Sequence, residues 1–172
     1  MHPNFELYKT ILLSTYKLSD KDLSDRLIEW KNKFRGSSDN DMDFLWSIFQ
    51  QVENAILHTY KDSALLYQHL KDLYLTMWKF LIDEKRNATH MQKLINYCDL
   101  KKADSADYKT LAQCIATHCC SVCEEMDGLA IPVDQALSEQ PLPNSACTRE
   151  LGCICTYAII AERDLEGNLL LK

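Results

Sequence analysis

A chain of 172 residues that is 47% hydrophobic and 9% aromatic has enough apolar side chain to bury a real core, which excludes intrinsic disorder. The net charge of -6 falls mainly on the cysteine-rich end, from Cys98 onward, so a nucleic-acid-binding finger, which leaves a basic footprint, is disfavoured there. No apolar run approaches a membrane span and the start, Met1-His2-Pro3-Asn4-Phe5, is too polar for a signal-peptide core, so a reducing, cytoplasmic setting is expected.

Phe5, Tyr8, Ile11, Leu12 and Tyr16 recur at helical spacing and predict a first helix over residues 5–17. Ser19 with Asp22 three residues on is a capping pattern, and Leu23, Leu27, Trp30 and Phe34 carry a second helix to a stop at Gly36. Past the cap cluster at 37–41, Phe44, Ile48, Phe49, Val52 and Ile56 form a long apolar stripe. Leu66, Leu70, Leu73, Met77 and Leu81 form another after a break at Lys61-Asp62-Ser63. These two long helices are expected to lie antiparallel. Thr89 is placed to cap a fifth helix bearing Met91, Ile95 and Cys98. Asp104-Ser105 is placed to cap a sixth, with Tyr108, Leu111, Ala112, Ile115 and Cys119 inward.

Beyond Cys123 the pattern changes. Asp127-Gly128 is a turn dipeptide, Pro132, Pro141 and Pro143 exclude a continuous helix, and residues 133–137 suit one helical turn. The β-branched run 154–160 and Leu169-Leu170-Leu171, separated by Glu166-Gly167-Asn168, predict a small β-hairpin. The expected architecture is mainly α: a bundle of about six helices over residues 1–113, with a small zinc-binding β-hairpin module over 114–172 packed on it.

Seven of the eight cysteines lie between Cys114 and Cys155. In a reducing compartment such clustering points to metal rather than disulfides. Cys120-Ser-Val-Cys123 has the spacing of a knuckle that turns two thiolates toward one ion, and Cys147 with Cys153-Ile-Cys155 supplies the second half beside Gly152. Zinc is the expected metal. Five cysteines compete for four places; the best set is Cys120, Cys123, Cys147 and Cys155, with Cys153 the replacement, since alternate residues of a strand share a face. Cys119 and His118, at the end of the expected sixth helix, read as packing or exposed residues. Cys98 reads as core.

The order C-x2-C, Asp127-Gly128, Pro141-Leu142-Pro143 and a closing C-x-C followed by Thr156-Tyr157 resembles the cysteine-rich C-terminal motif of phage head-morphogenesis (minor head) proteins. The likeness covers roughly 50 residues and none of the N-terminal helices. That family closes with His-Pro-x-Cys-Arg-Cys; here Pro143-Asn144-Ser145-Ala146 precedes Cys147, the gap to Cys153 is longer, and Ile154 stands between the last two cysteines. The resemblance implies a related knuckle-and-hairpin module, with a helix before the C-x2-C.

Catalytic signatures are missing. There is no phosphate-binding Gly-rich loop, nucleophile elbow or H-E-x-x-H, and His2, His58, His69 and His90 are scattered. A site of cysteines alone leaves no open position for water. The expected role is therefore a non-catalytic protein-interaction factor, of adaptor, inhibitor or immunity type, with a protein partner, no membrane and homodimerisation left open. The alternative is a nucleic-acid-associated or phage-related accessory factor that uses the zinc module as its contact surface, with Lys9, Lys17, Lys21, Arg26, Lys31, Lys33 and Arg35 as the one basic cluster.

Overall fold

The computed structural model describes residues 4–34, 40–116 and 119–172, and of Asn40 the backbone only. Among these the protein is mainly α, with a three-stranded sheet near its C-terminus. By packing, the chain forms two compact units, Met1–Ile56 and Leu57–Lys172.

The first unit contains α1 (Phe5–Tyr16), α2 (Asp20–Lys33) and most of α3 (Asn40–Thr59). The Ser19 hydroxyl accepts the Asp22 N–H at 3.4 Å, as its capping pattern predicts. Phe5, Tyr8, Leu12, Leu23, Leu45 and Phe49 are buried, and Tyr8 meets Phe49 edge to face at 6.3 Å. The expected stop at Gly36 lies outside the described residues, as does His118.

The second unit opens with α4 (Ser63–Asp83), capped by the Asp62 carboxylate, which accepts the Leu65 N–H at 2.9 Å. The α4 helix packs on α5 (Thr89–Asp104). Thr89, expected as a cap, is the first helical residue instead; Ala88 holds the cap position without a side-chain bond. The Thr89 hydroxyl is used elsewhere, as described below.

The main departure from expectation follows α5. No sixth helix runs from Tyr108 to Cys119: residues Thr110–Ile115 form strand β1. Thr110, Ala112 and Cys114 are buried while Leu111, Gln113 and Ile115 are less so, which is strand alternation. A run this short satisfies both periods, and pairing decides it. On one side β1 pairs antiparallel with β2 (Ala130–Pro132) and on the other with β3 (Thr156–Ala161), six residues in register from Thr110↔Ala161 to Ile115↔Thr156. Between the strands lie a one-turn helix α6 (Ser121–Glu124) and the two-turn helix α7 (Val133–Glu139). The expected hairpin is thus a sheet ordered β2-β1-β3. Residues 169–171 do fold back, but only through bridges Arg163↔Leu169 and Tyr108↔Leu171.

The division by packing differs from a boundary at residue 113. Helix α5 packs on α7, β3 and β1, so α4, α5 and the cysteine segment share one unit. Its core beneath the sheet contains Leu100, Ala112, Cys114, Val133, Leu142 and Tyr157 together with Cys123, Cys153 and Cys155. No helix among the described residues is long and apolar enough to cross a membrane.

Candidate metal centre

Two short loops bring the cysteines together. In the first, β1 ends and the Ala116 N–H donates to the Asp127 carboxylate at 2.7 Å, while the Gly128 N–H donates to the Cys114 carbonyl at 2.9 Å. Gly128 sits at φ +79°, where a side chain is disfavoured, so the Asp-Gly pair closes this loop as the sequence predicts. Inside it, Cys120 precedes α6, and its carbonyl accepts the N–H groups of Cys123 at 2.9 Å and Glu124 at 3.0 Å. That single turn is what the C-x2-C spacing encodes: it swings Cys123 back toward the side occupied by Cys119 and Cys120.

The second loop is held from the body of the unit. The Asn144 carboxamide oxygen accepts the Ala146 N–H at 2.8 Å, and the Cys147 N–H donates to the Asn144 carbonyl at 3.1 Å, a side-chain-supported turn that presents Cys147. Farther on, the Ala88 N–H donates to the Leu151 carbonyl at 3.0 Å, and the Cys153 N–H donates to the Thr89 hydroxyl at 3.1 Å. The start of α5 therefore fixes where Cys153 sits.

The sulfurs of Cys119, Cys123, Cys147 and Cys153 lie within 4.8 Å of one another. Cys123 and Cys153 are 3.7 Å apart. A Zn–S bond of about 2.3 Å in a tetrahedral site implies sulfurs about 3.8 Å apart, a separation the Cys123–Cys153 pair already has. All eight cysteines are free thiols. Among the described residues the donor set is cysteine alone, which matches the soft-ligand sites of structural zinc.

Of the five residues expected from the sequence, Cys123, Cys147 and Cys153 stand in this group. Cys120 and Cys155 lie at its edges, with the Cys120 sulfur 3.7 Å from that of Cys147 and the Cys155 sulfur 3.0 Å from that of Cys119. Cys119 is the member that sequence spacing sets aside. Once residues 110–115 are read as a helix, Cys119 falls at its end as an ordinary packing residue; as the exit from a strand, it faces the knuckle. Cys114 and Cys98 are buried apart from the group, one on β1 and one on α5.

Burial raises the Cys123 and Cys155 thiols well above the ordinary cysteine value and pushes Cys147 up to about 11. Cys120 goes the other way, down to about 6, because backbone N–H groups of Thr148 and Cys123 point at its sulfur. Burial works against Cys119 too, yet hydrogen bonds from the Cys155 side chain and the Cys120 backbone leave it lowered. The cluster thus mixes protonated and ionised sulfur at close range. A dication resolves that conflict by deprotonating every ligand it binds.

Comparison with protein-family models, curated proteins and solved structures finds no match to this chain.

Proposed function

We propose that the protein is a non-catalytic, cytoplasmic interaction factor whose zinc site stabilises a sheet that docks a protein partner. The observation that carries this reading is the outward face of the sheet. Opposite residues of antiparallel strands share a face, so Leu111, Pro132 and Ile160 form one row, Gln113, Ala130 and Ala158 the next, and Ile115 ends the face. Ile115 and Ile160 are each 39% exposed, and no charged residue stands at these paired positions. An uncharged, mostly apolar face on a chain with net charge -6 suits an interface core. A non-catalytic role is supported by a donor set that fills the tetrahedron with thiolates and leaves no place for a reacting water.

The test is co-purification from the native host with wild type beside an Ile115→Glu, Ile160→Glu double variant that keeps its zinc and melting temperature. A partner retained by wild type and lost by the variant supports the reading. Identical retention by both, or no retained protein, counts against it.

The alternative, a nucleic-acid-associated or phage-related accessory role, draws its support from the order of the C-x2-C, Asp-Gly and C-x-C elements. Part of the basic cluster is neutralised locally: Lys9 pairs with Asp20 at 2.7 Å and Lys31 pairs with Asp41 at 2.9 Å. Those two charges are thereby less available to a phosphate backbone.

A further inference from the structure

We propose that the zinc site is a thiol–disulfide switch: a hydroperoxide joins Cys120 to Cys147 and Cys119 to Cys155 as disulfides and thereby releases the ion. This rests on the zinc reading above and adds the regulation of that same site.

The site holds more thiols than one ion uses, and the surplus is ordered. A tetrahedral ion takes four thiolates, and Cys119, Cys123, Cys147 and Cys153 are the group that can supply them. Cys120 and Cys155 stand outside that group, and each abuts a different member of it. The Cys120 sulfur lies 3.7 Å from that of Cys147, and the Cys155 sulfur lies 3.0 Å from that of Cys119. Each contact therefore matches one spare thiol with one ligand. An S–S bond is about 2.0 Å long, so either pair closes by about 1–2 Å, a shift within the swing of a cysteine side-chain torsion.

Access divides along the same line. Cys119, Cys120 and Cys147 are partly exposed, whereas Cys123, Cys153 and Cys155 are buried. Each pair of spare thiol and ligand thus offers at least one sulfur to an oxidant arriving from solvent. The two remaining ligands, Cys123 and Cys153, offer none.

The chemistry balances within each pair. A partly exposed sulfur attacks the O–O bond of hydrogen peroxide and becomes a sulfenic acid, and one water leaves. The neighbouring sulfur attacks the sulfenic sulfur, the S–S bond forms, and a second water leaves. Two electrons pass from the sulfur pair to one peroxide; the protons of the waters come from the thiols, or from solvent where a sulfur had been a zinc thiolate. Each disulfide removes one ligand. Two of them leave the ion with Cys123 and Cys153 alone, half of a tetrahedral set, and it dissociates. Metal binding energy is folding energy in such a site, so the loops that carry the cysteines loosen with the loss. A dithiol returns the electrons, and zinc then rebinds.

The test uses the zinc-loaded wild-type chain, freed of reductant. Hydrogen peroxide is added, released zinc is read with a chromogenic chelator, and the alkylated protein is mapped by peptide mass spectrometry. Release of the ion together with disulfides Cys120–Cys147 and Cys119–Cys155, reversed by dithiothreitol plus zinc, is expected. The double variant Cys120→Ser, Cys155→Ser should hold zinc as wild type does before oxidation but release it at least about 10-fold more slowly, because each exposed ligand has lost its intramolecular partner. Zinc retained by wild type under peroxide overturns the proposal and leaves the structural zinc site standing. Release with Cys123 joined to Cys153, or with over-oxidised single sulfurs in place of the named pairs, does the same. So does a double variant that releases zinc at the wild-type rate, or one that binds none before oxidation, since Cys120 or Cys155 would then be a ligand. A wild-type chain that takes up no zinc overturns both the proposal and the zinc reading beneath it.

Discussion

The Asn96 side chain on α5 donates its amide to the main-chain carbonyl of Cys155 at 3.0 Å, across 59 residues of sequence. The carbonyl end of the same amide accepts from Gln92 at 3.0 Å and from the Thr156 hydroxyl at 2.9 Å, so a residue only 1% exposed makes three bonds. The helix thereby fixes the backbone that carries the last metal-facing cysteine and opens β3. Asn96→Leu strands the buried Cys155 carbonyl and should cost about 2–3 kcal/mol in urea unfolding. Because this bond orients a ligand-bearing segment, zinc affinity measured by chelator competition should fall about 10-fold or more. Unchanged affinity would mean that the segment is positioned without the amide.

Gly152 is the narrowest point of the same support. Its φ of +98° disfavours any side chain, and a Cβ there would stand 2.8 Å from the Thr89 nitrogen and 2.9 Å from the Asn87 carboxamide oxygen. The first of these is backbone at the start of α5 and has no room to yield. Gly152→Ala should cost about 1–3 kcal/mol from backbone conformation alone, with further loss as Cys153 is pushed from the Thr89 hydroxyl. Thr89→Val isolates that last bond: it keeps the shape, removes the acceptor of the Cys153 N–H, and should cost about 1–2 kcal/mol. Thermal unfolding with and without added zinc separates the two, since only the glycine variant is expected to bind metal poorly.

Helical period identifies α1 to α5 because each stripe is long enough for the period to be unambiguous, and the caps at Ser19 and Asp62 are local chemistry. Strand β1 is hidden for the opposite reason. Six residues whose Leu111, Ala112 and Ile115 suit either period become a strand through pairing with β3, a segment about 45 residues away that no local rule connects to them. The same misreading hides Cys119. Metal chemistry was legible in the thiol spacing, while the choice among thiols depends on how β1 exits. The Thr89 and Asn96 contacts, which span more than 55 residues, leave no mark in a single sequence.

Tyr157 predicts an alkaline weakness. Its hydroxyl oxygen accepts the Leu142 N–H at 2.9 Å within the core under the sheet. Burial raises its pKa from the ordinary 10.0 to about 12. The folded protein therefore keeps a proton that the unfolded chain releases, so this contribution is complete below pH 10.0, shrinks above it and is gone once the pH passes about 12. Tyr157→Phe should cost about 1–3 kcal/mol at neutral pH, because it leaves a buried N–H unpaired. It should also make stability less steep in pH between those two values. Chemical denaturation across the alkaline range measures both; parallel curves for the two proteins would contradict the assignment.

Cys114 and Cys123 give the cleanest separation of metal from packing, because both are fully buried thiols in the same core and only Cys123 faces the sulfur group. Substituting alanine removes the same atom from each, so the packing loss should be similar, about 1 kcal/mol. Any larger effect at Cys123 reports the metal. Cys114→Ala should retain zinc, and a strong chelator should lower its melting temperature as it does that of wild type. Cys123→Ala should arrive without zinc, be destabilised by several kcal/mol more, since a ligand present at 1,000 times its dissociation constant contributes about 4.1 kcal/mol, and not respond to chelator. Acid should imitate the chelator for wild type and Cys114→Ala, since the ligands must be deprotonated and protons compete with the ion as the pH falls. Equal chelator sensitivity in all three proteins would place the ion outside this cluster.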